Sequence, residues 1–239
     1  MARVFVDALP AAGTEYELTG ENAAHARVLR LKAGEVVTLC DGAGLECGCT
    51  VIEGLRLLAG ETVPAPTEPR ARVSVWIAFP KADKAEHVIQ KATELGGAEI
   101  VLFPTRYCVS RPDPKSLGKK LDRWQKIARS AAEQSRRGRI PAVRAVDSYE
   151  AALAEAGRAE LPILFYENER ARTLKAALEG VCASTVSLMT GAEGGFSEEE
   201  IARAEAAGLR ICTLGPRILR CETAPLAGLT AVMYALGEL

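Results

Sequence analysis

The chain carries the sequence LMTGAEGGFSEEE at residues 188–200, and this stretch decides how the C-terminal part folds. An apolar run at residues 186–189 predicts a strand, and a glycine-rich loop follows it. Ser197 is placed to cap a helix, Glu200 completes a capping box with it, and Phe196 and Ile201 have the spacing of a hydrophobic staple. The stretch therefore predicts a strand, a glycine loop and a helix in succession.

The glycine loop predicts close approach of the backbone to a ligand. Its spacing is neither G-x-G-x-x-G nor a P-loop, so dinucleotides and triphosphates are disfavoured. Glutamates 193, 198, 199 and 200 would repel a phosphate group, whereas a cationic cofactor such as S-adenosylmethionine is compatible with them. Helix capping alone also explains Ser197 and Glu200, and this alternative stays open.

A second loop, LGPRILRCETA at residues 214–224, also follows a predicted strand. Thr223 can cap the last helix, and Pro225 falls in its first turn, where a missing N–H does no harm. That helix is apolar on most sides, so we expect it to be buried, with a second subunit as one possible partner.

The rest of the chain divides into two predicted domains, residues 1–69 and 70–239. Residues 70–239 alternate apolar runs (73–79, 100–103, 161–165, 186–189, 211–214) with helices (83–95, 116–136), which predicts an α/β domain with a parallel sheet. Residues 1–69 carry short strands (3–6, 16–18, 36–40, 50–52, 56–58), as in a small β-barrel. One helix at 21–31, with Ala24, Val28 and Leu31 inward, interrupts them, and Pro64, Pro66 and Pro69 predict a linker.

Composition restricts the class of protein. Of 239 residues, 48% are apolar and 26% charged, as in globular proteins, and no run is long enough to span a membrane, so we expect a cytoplasmic protein. Seven cysteines, an odd number without zinc-ligand spacing, predict reduced thiols and no metal.

The net charge of −1 hides a basic segment. Residues 106–144 hold twelve Lys or Arg against three Asp or Glu, a local net charge of +9. This segment favours a polyanionic partner, although a solvated helix face would have the same charge pattern.

Five segments together resemble the RsmE family, bacterial methyltransferases of uracil N3 in small-subunit ribosomal RNA. They are HARVLR (25–30), AEHVIQKATELGG (85–97), RWQKIARSAAEQSRRGRIP (123–141), GAEGGFSEEE (191–200) and LGPRILRCETA (214–224). The resemblance implies an N-terminal PUA-like β-barrel, a C-terminal SPOUT α/β domain with a deep trefoil knot, and a homodimer. It also implies S-adenosylmethionine as cofactor and 16S ribosomal RNA, within the 30S subunit, as substrate.

The resemblance implies the cofactor-binding residues, whereas the chemistry of methyl transfer suggests the catalytic ones and the basic segment and barrel suggest the RNA-binding ones. The expected cofactor-binding residues are Tyr166, Glu167, Thr190, Gly191, Gly195, Leu214, Gly215, Ile218, Leu219, Thr223 and Ala224. Arg220 is expected to stabilise negative charge on the uracil and Glu222 to accept its proton, although Glu222 could instead simply pair with an arginine. RNA-binding is expected of Arg30, Arg106, Arg111, Arg123, Lys126, Arg129, Arg136 and Arg137. Ala192 departs from the family, which usually has proline there, and this loosens the loop without removing a functional group.

Two other functions remain open at this point. One is a SPOUT methyltransferase acting on transfer RNA or 23S ribosomal RNA, because the cofactor loops alone do not specify the substrate. The other is a non-catalytic RNA-binding assembly factor.

Overall fold

The structure, a computed structural model, describes residues 2–81, 83–110 and 112–239, without the side chains of residues 25, 29 and 114. The chain forms two compact units. The N-terminal unit comprises the residues through Glu68 together with Ala132–Ile140, and the C-terminal unit comprises Pro69–Ala131 and Pro141–Leu239. Unlike the predicted boundary at residues 69 and 70, this division assigns one internal segment to the N-terminal unit.

The N-terminal unit is built on a five-stranded sheet. Its elements are β1 (Ala2–Phe5), β2 (Glu15–Glu17), α1 (Gly20–Leu29), β3 (Val36–Cys40), β4 (Leu45–Glu53) and β5 (Arg56–Pro64). The strand order is β1-β3-β4-β5-β2, with β1 parallel to β3 and the other neighbours antiparallel. Alternate residues point into a core that includes Val37, Leu39 and Leu57, as expected when one face of a sheet is covered.

Two details of the sequence prediction for this unit are wrong. Helix α1 buries Ala23 and Ala26, whereas Ala24 and Val28 are exposed, because a second apolar stripe with helical spacing faces the core. The second concerns Pro64, which does not belong to the linker but is the last residue of β5, paired with Leu45.

A partly buried carboxylate, that of Glu68, holds residues 132–140 on the N-terminal unit. Glu68 accepts hydrogen bonds from the backbone N–H groups of Gly138 and Arg139 at 3.0 and 3.1 Å. Arg137 donates to both oxygens of the same carboxylate, at 2.8 and 3.3 Å, and its side chain is only 4% exposed. This arrangement explains why the segment groups with the N-terminal strands.

The C-terminal unit is a six-stranded sheet with helices. Its elements are β6 (Arg72–Ala78), α2 (Lys84–Glu94), β7 (Glu99–Phe103), α3 (Pro114–Gln134), β8 (Ala142–Ala145), α4 (Tyr149–Ala156), β9 (Leu161–Phe165), α5 (Leu174–Leu178), β10 (Thr185–Thr190), α6 (Glu198–Ala206), β11 (Arg210–Cys212) and α7 (Ala224–Ala235). The last residues of α3 fall in the N-terminal unit. The order is β11-β9-β10-β6-β7-β8 and every pair is parallel, which confirms the predicted parallel sheet.

Burial in this unit follows the apolar runs. Residues of the inner strands, such as Ile77, Ile163 and Leu188, have at most 2% of their surface exposed, as expected for strands covered on both faces. Helix α7 is less buried than the sequence predicts: Leu229 and Met233 are in the core, but Tyr234 is 76% exposed and Leu226 half-buried. Part of its apolar surface is therefore open in the single chain.

Two further features bear on the sequence predictions. Within the described residues, no helix combines the length and the apolar character needed to cross a membrane. All seven cysteines are free thiols, and Cys47 and Cys49 lie buried in the N-terminal core.

Candidate cofactor site

The candidate site lies where three neighbouring parallel strands end. The carboxyl ends of β9, β10 and β11 meet at one edge of the sheet, because the strands are parallel and adjacent in the order β11-β9-β10. Residues 166–170, 190–195 and 213–221 leave these strands and enclose a cavity of about 470 Å³. Cofactor sites in α/β proteins usually lie at the carboxyl edge of the parallel sheet and have volumes in this range.

The glycine loop is fixed by the turn within it and by the helix after it. The N–H of Gly195 donates to the carbonyl of Ala192 at 3.0 Å, which closes a tight turn. Ser197 caps α6 by accepting from the N–H of Glu200, and Glu200 accepts in return from the N–H of Ser197 at 2.8 Å. The predicted capping box is thus confirmed.

Glu200 also ties the start of α6 to the loop that follows β7. Its second oxygen accepts from the backbone N–H of Arg106 at 2.7 Å, so one buried carboxylate bonds to both loops. Phe196 packs beside Phe103 and Tyr149, with ring centroids 6.5 and 6.0 Å away. Such pairs contribute roughly 0.5–1.5 kcal/mol each, so the far end of the glycine loop is well anchored.

Gly195 needs to be glycine for two reasons. Its φ of +64° lies in the left-handed region, which costs other residues roughly 1–2 kcal/mol. A Cβ at this position would also lie 2.2 Å from a carboxylate oxygen of Glu167. The glycine therefore lets the turn pass close to the loop that follows β9.

The second loop begins and ends with hydrogen bonds of its own. The Thr213 hydroxyl bonds to both the carbonyl and the N–H of Gly215 at 3.1 Å. At the other end, the carbonyl of Arg220 accepts from the N–H groups of Thr223 and Ala224 at 2.8 and 2.9 Å, which leads the chain into α7. Between these two points Leu214, Ile218 and Leu219 line the cavity.

One lysine joins the two loops. Nζ of Lys84, at the start of α2, lies 2.9 Å from Oε1 of Glu193 in the glycine loop and 3.4 Å from Oε2 of Glu222 in the second loop. It also contacts Sγ of Cys221 at 3.6 Å. The sequence predicts that acidic residues near the glycine loop favour a cationic cofactor. Two of them are neutralised by ion pairs within the protein: Glu193 by Lys84, and Glu199 by Arg106 at 2.9 Å.

The ion pairs shift the ionisation of this cluster. Burial alone would raise the pKa of the Glu193 carboxyl, but hydrogen bonds from Lys84 and from backbone N–H groups lower it to about 2. For Glu222, burial again opposes the shift, and a backbone N–H, Cys221 and Lys84 together lower its pKa. Burial and the hydrogen bond to Glu222 raise the pKa of the Cys221 thiol to about 12, so it is protonated at neutral pH.

The structure brings most of the predicted cofactor residues together. The cavity wall includes Tyr166, Glu167, Thr190, Gly191, Gly195, Leu214, Gly215, Ile218, Leu219 and Ala224, and also Arg220. Thr223 is exposed, forms no side-chain cap and does not line the cavity. Glu222 does not line it either, and its carboxylate pairs with a cation, although with Lys84 and not with an arginine.

The wall also includes residues that the prediction did not name as cofactor-binding, although several of them lie in the two predicted cofactor loops. These are Lys84, Phe165, Arg170, Ala192, Glu193, Gly194, Thr213, Arg217 and Cys221. Lys84 had one signal in the sequence, since a lysine in the first turn of a helix opposes the helix dipole and therefore calls for a partner elsewhere.

The predicted RNA-binding residues differ in what they can reach. Arg30, Arg106, Arg123, Lys126 and Arg136 are exposed, and Arg129 is half-buried. Arg106 and Arg123 already pair with Glu199 and Glu86 at 2.9 and 2.8 Å. Arg137 is buried against Glu68 and is not presented to an RNA phosphate, contrary to the prediction, and Arg111 lies outside the described residues.

Comparisons with known proteins agree with this architecture. A family model for the RNA methyltransferase domain matches residues 66–233, and one for the RNA methyltransferase PUA domain matches residues 18–56. Together with the fold and the cavity, these matches define the class of protein as an RNA methyltransferase. The chain belongs to this RNA methyltransferase family.

Particular relatives cover nearly the whole chain. The chain is 33% identical to ribosomal RNA small subunit methyltransferase E of Bacillus subtilis over 92% of its own length and 90% of the relative's. It is similar to the crystal structure of ribosomal RNA small subunit methyltransferase E from Neisseria gonorrhoeae bound to S-adenosylmethionine, with a TM-score of 0.81, 30% identity, and 98% and 97% of the two chains covered. A Legionella pneumophila methyltransferase with bound S-adenosylmethionine gives a TM-score of 0.83 and 29% identity, with the same coverage.

Proposed function

We propose that the protein transfers a methyl group from S-adenosylmethionine to N3 of a uridine in 16S ribosomal RNA. The observation that carries this proposal is the cavity between the glycine loop and the second loop, in a chain whose relatives over most of its length are named ribosomal RNA small subunit methyltransferase E. A SPOUT enzyme for another RNA is less well supported, because the relatives named ribosomal RNA small subunit methyltransferase E match nearly the whole chain and not only the methyltransferase domain.

The residues present suit such a donor. The cavity of about 470 Å³ is large enough for a nucleoside linked to an amino acid. Gly215 has a φ of +110°, and a Cβ there would meet no atom within 4 Å, so the missing side chain leaves space at the cavity wall. Ile218 is 79% exposed at the same wall, so its apolar side chain is free to contact a bound ligand.

Holding the donor is therefore assigned to both loops. In this proposal the contacts come mainly from backbone groups of Thr190, Gly191, Gly195, Leu214, Gly215, Ile218 and Leu219, with Tyr166, Glu167 and Ala224 alongside. Thr223 lies at the end of the second loop and is given no contact with the donor, since it is exposed and does not line the cavity. When bound, S-adenosylmethionine supplies a methyl group on a sulfonium, which an N3 anion can attack.

Two side chains are assigned to the substrate. Arg220 is exposed at the cavity wall, and its guanidinium has no carboxylate partner among the residues described, so it is available to stabilise negative charge on a uracil carbonyl. Glu222 is the proposed acceptor of the N3 proton. Its lowered pKa keeps it ionised but makes it a weak base, so proton removal depends on Arg220 stabilising the resulting anion.

RNA phosphates are assigned to basic residues of both units. The proposed set is Arg30, Arg106, Arg111, Arg123, Lys126, Arg129 and Arg136, without Arg137. Phosphate contacts set affinity more than base choice, and each one contributes to the salt dependence of binding. Replacing both Arg123 and Lys126 by alanine should reduce the slope of log affinity against log salt by about 2 units, and an unchanged slope would refute the assignment.

The resemblance adds features of architecture to this proposal. They are a PUA-like barrel over residues 1–69, a SPOUT domain with a deep trefoil knot over residues 70–239, and a cytoplasmic homodimer. The apolar surface that α7 leaves open, with Tyr234 76% exposed, supports the second subunit. The 30S subunit is the proposed form of the substrate.

The experiment that tests the function compares ribosomal RNA from a knockout strain with that from wild type. Loss of one N3-methyluridine from 16S RNA, and its return when purified protein and S-adenosylmethionine are added to knockout 30S subunits, is the expected result. Loss of a methyl group from transfer RNA or 23S RNA would instead indicate another substrate. An unchanged set of modified nucleotides, with no affinity for the donor, would indicate a non-catalytic RNA-binding factor.

A further inference from the structure

Lys84 is a residue to which the proposed chemistry gives no role. Its Nζ lies within hydrogen-bond distance of carboxylates from two separate loops, 2.9 Å from Glu193 and 3.4 Å from Glu222, and its side chain is 29% exposed. The backbone N–H of Lys81 adds a hydrogen bond to the same Glu193 oxygen at 3.1 Å. The start of α2 is thus attached to both loops that enclose the cavity.

Helix stability does not account for a lysine at this position. The N-terminus of a helix carries a partial positive charge, so a cation in the first turn is unfavourable there. Fixing a lysine side chain also costs conformational entropy. Among the described residues, the only carboxylates within 4 Å of Nζ are those of the two cavity loops.

We propose that Lys84 is a positioning residue that holds the glycine loop and the second loop at the separation the methyl donor needs. This inference rests on the proposed function, because it assumes that the cavity between the loops is the donor site. Lys84 acts through Glu193 and Glu222 and needs no direct contact with the donor.

Electrostatics give the reason that a cation is needed between the loops. Glu193 and Glu222 approach the same ammonium group, and without it two partly buried carboxylates would face each other. Like charges at such a separation repel, and each carboxylate would lose a charge-assisted hydrogen bond. The loops would then relieve the repulsion by moving apart, and the cavity would no longer match the donor.

The test measures binding of S-adenosylmethionine and S-adenosylhomocysteine by calorimetry in wild type and in K84M, which keeps a long apolar side chain but removes the charge. We expect K84M to bind both ligands at least about tenfold more weakly, since hydrogen bonds to charged groups are lost. Similar losses for both are expected because loop separation affects the whole ligand and not only its sulfonium.

Matched variants separate positioning from a general effect of the substitution. K91M removes a lysine of the same helix that pairs with Glu94 outside the cavity, and it should bind both ligands as wild type does. K84R restores a cation and should recover most of the affinity. The double variant K84M/E193Q should bind more tightly than K84M, because it removes the repulsion that K84M creates.

The pH dependence gives a further readout. In wild type Glu193 stays ionised well below neutral pH, because its pKa is about 2, so its charge does not change between pH 5 and 8. In K84M the Glu193 carboxyl loses the ammonium and keeps only its backbone hydrogen bonds against burial, so its pKa rises, and the ratio of wild-type to K84M affinity should become smaller as the pH falls towards 5.

The outcomes distinguish the two proposals. If wild type binds the donor and K84M binds it equally well, Lys84 is not a positioning residue, while the proposed function stands. If wild type does not bind, both proposals are wrong. Should K84M fail to fold, E193Q and E222Q each break one contact and should each weaken donor binding several-fold; unchanged affinity in both would overturn the inference.

Discussion

The close approach of Gly195 to Glu167 gives a quantitative test of the glycine loop. In G195A the backbone must keep a φ of +64° with a Cβ present, which costs roughly 1–2 kcal/mol. That corresponds to a fall in melting temperature of about 2–4 °C per kcal/mol for a domain of this size. The new Cβ would also lie 2.2 Å from a Glu167 oxygen, so the carboxylate must move.

Because the Glu167 carboxylate is the end of a flexible side chain, its movement should add little to the cost in stability. Its position at the cavity wall means that the movement should instead lower donor affinity. G208A is the matched control, since Gly208 has a φ of +87° and a Cβ there meets nothing within 4 Å. We expect similar losses of stability in both variants and a weaker donor affinity only in G195A, measured by thermal unfolding and calorimetry. Equal donor affinities in the two variants would refute the role given to the turn.

Three other predictions follow from single contacts. S197A should destabilise the C-terminal unit by about 1 kcal/mol and weaken donor binding, whereas S148A, which removes the cap of α4, should lower thermal stability alone. R137A should destabilise the protein by roughly 1.5–3 kcal/mol in urea unfolding, because Glu68 loses its charge-assisted pair with Arg137 and keeps only two backbone hydrogen bonds, whereas R136A, at an exposed position, should change it little. The pKa of Glu193 is about 2 in the folded protein against an ordinary value of 4.5, so its ionised form stabilises the fold fully above pH 5, and this contribution disappears as the pH falls towards 2. In acid unfolding, E193Q should therefore lose less stability than wild type between pH 5 and pH 2.

The sequence predicted the parallel sheet because its inner strands are buried on both faces. Strands β9 and β10 are runs of apolar residues, and such runs are visible without any knowledge of their neighbours. Strand β8 was missed because it lies at the edge of the sheet and contains Arg144, which pairs with Glu99 and Glu155 at 2.7 Å each. An edge strand with a charged residue has no apolar run to identify it.

Burial of charged residues could not be predicted from charge counts. Arg136 and Arg137 are neighbours in a basic segment, yet one is exposed and the other is buried against Glu68. The same limit applies to α1, where two apolar stripes have helical spacing and only the packed structure shows which one faces the core.

The cavity loops were predictable, but the lysine between them was not. Glycine spacing and the capping box identify the first loop locally. The second loop is visible between a predicted strand and the last helix, and the family resemblance adds that it binds the cofactor. The contact of Lys84 with Glu193 and Glu222 joins residues more than a hundred positions apart, and the one local signal, a lysine in the first turn of a helix, does not identify those partners. Long-range ion pairs of this kind require the fold.

The most direct measurement is a crystal structure of the protein grown with saturating S-adenosylmethionine. The account predicts electron density for the donor between residues 190–195 and 214–220, with Lys84 in contact with both Glu193 and Glu222. Electron density for the donor at another place on the protein would contradict it. So would an empty cavity in crystals grown at a donor concentration far above the Kd measured in solution.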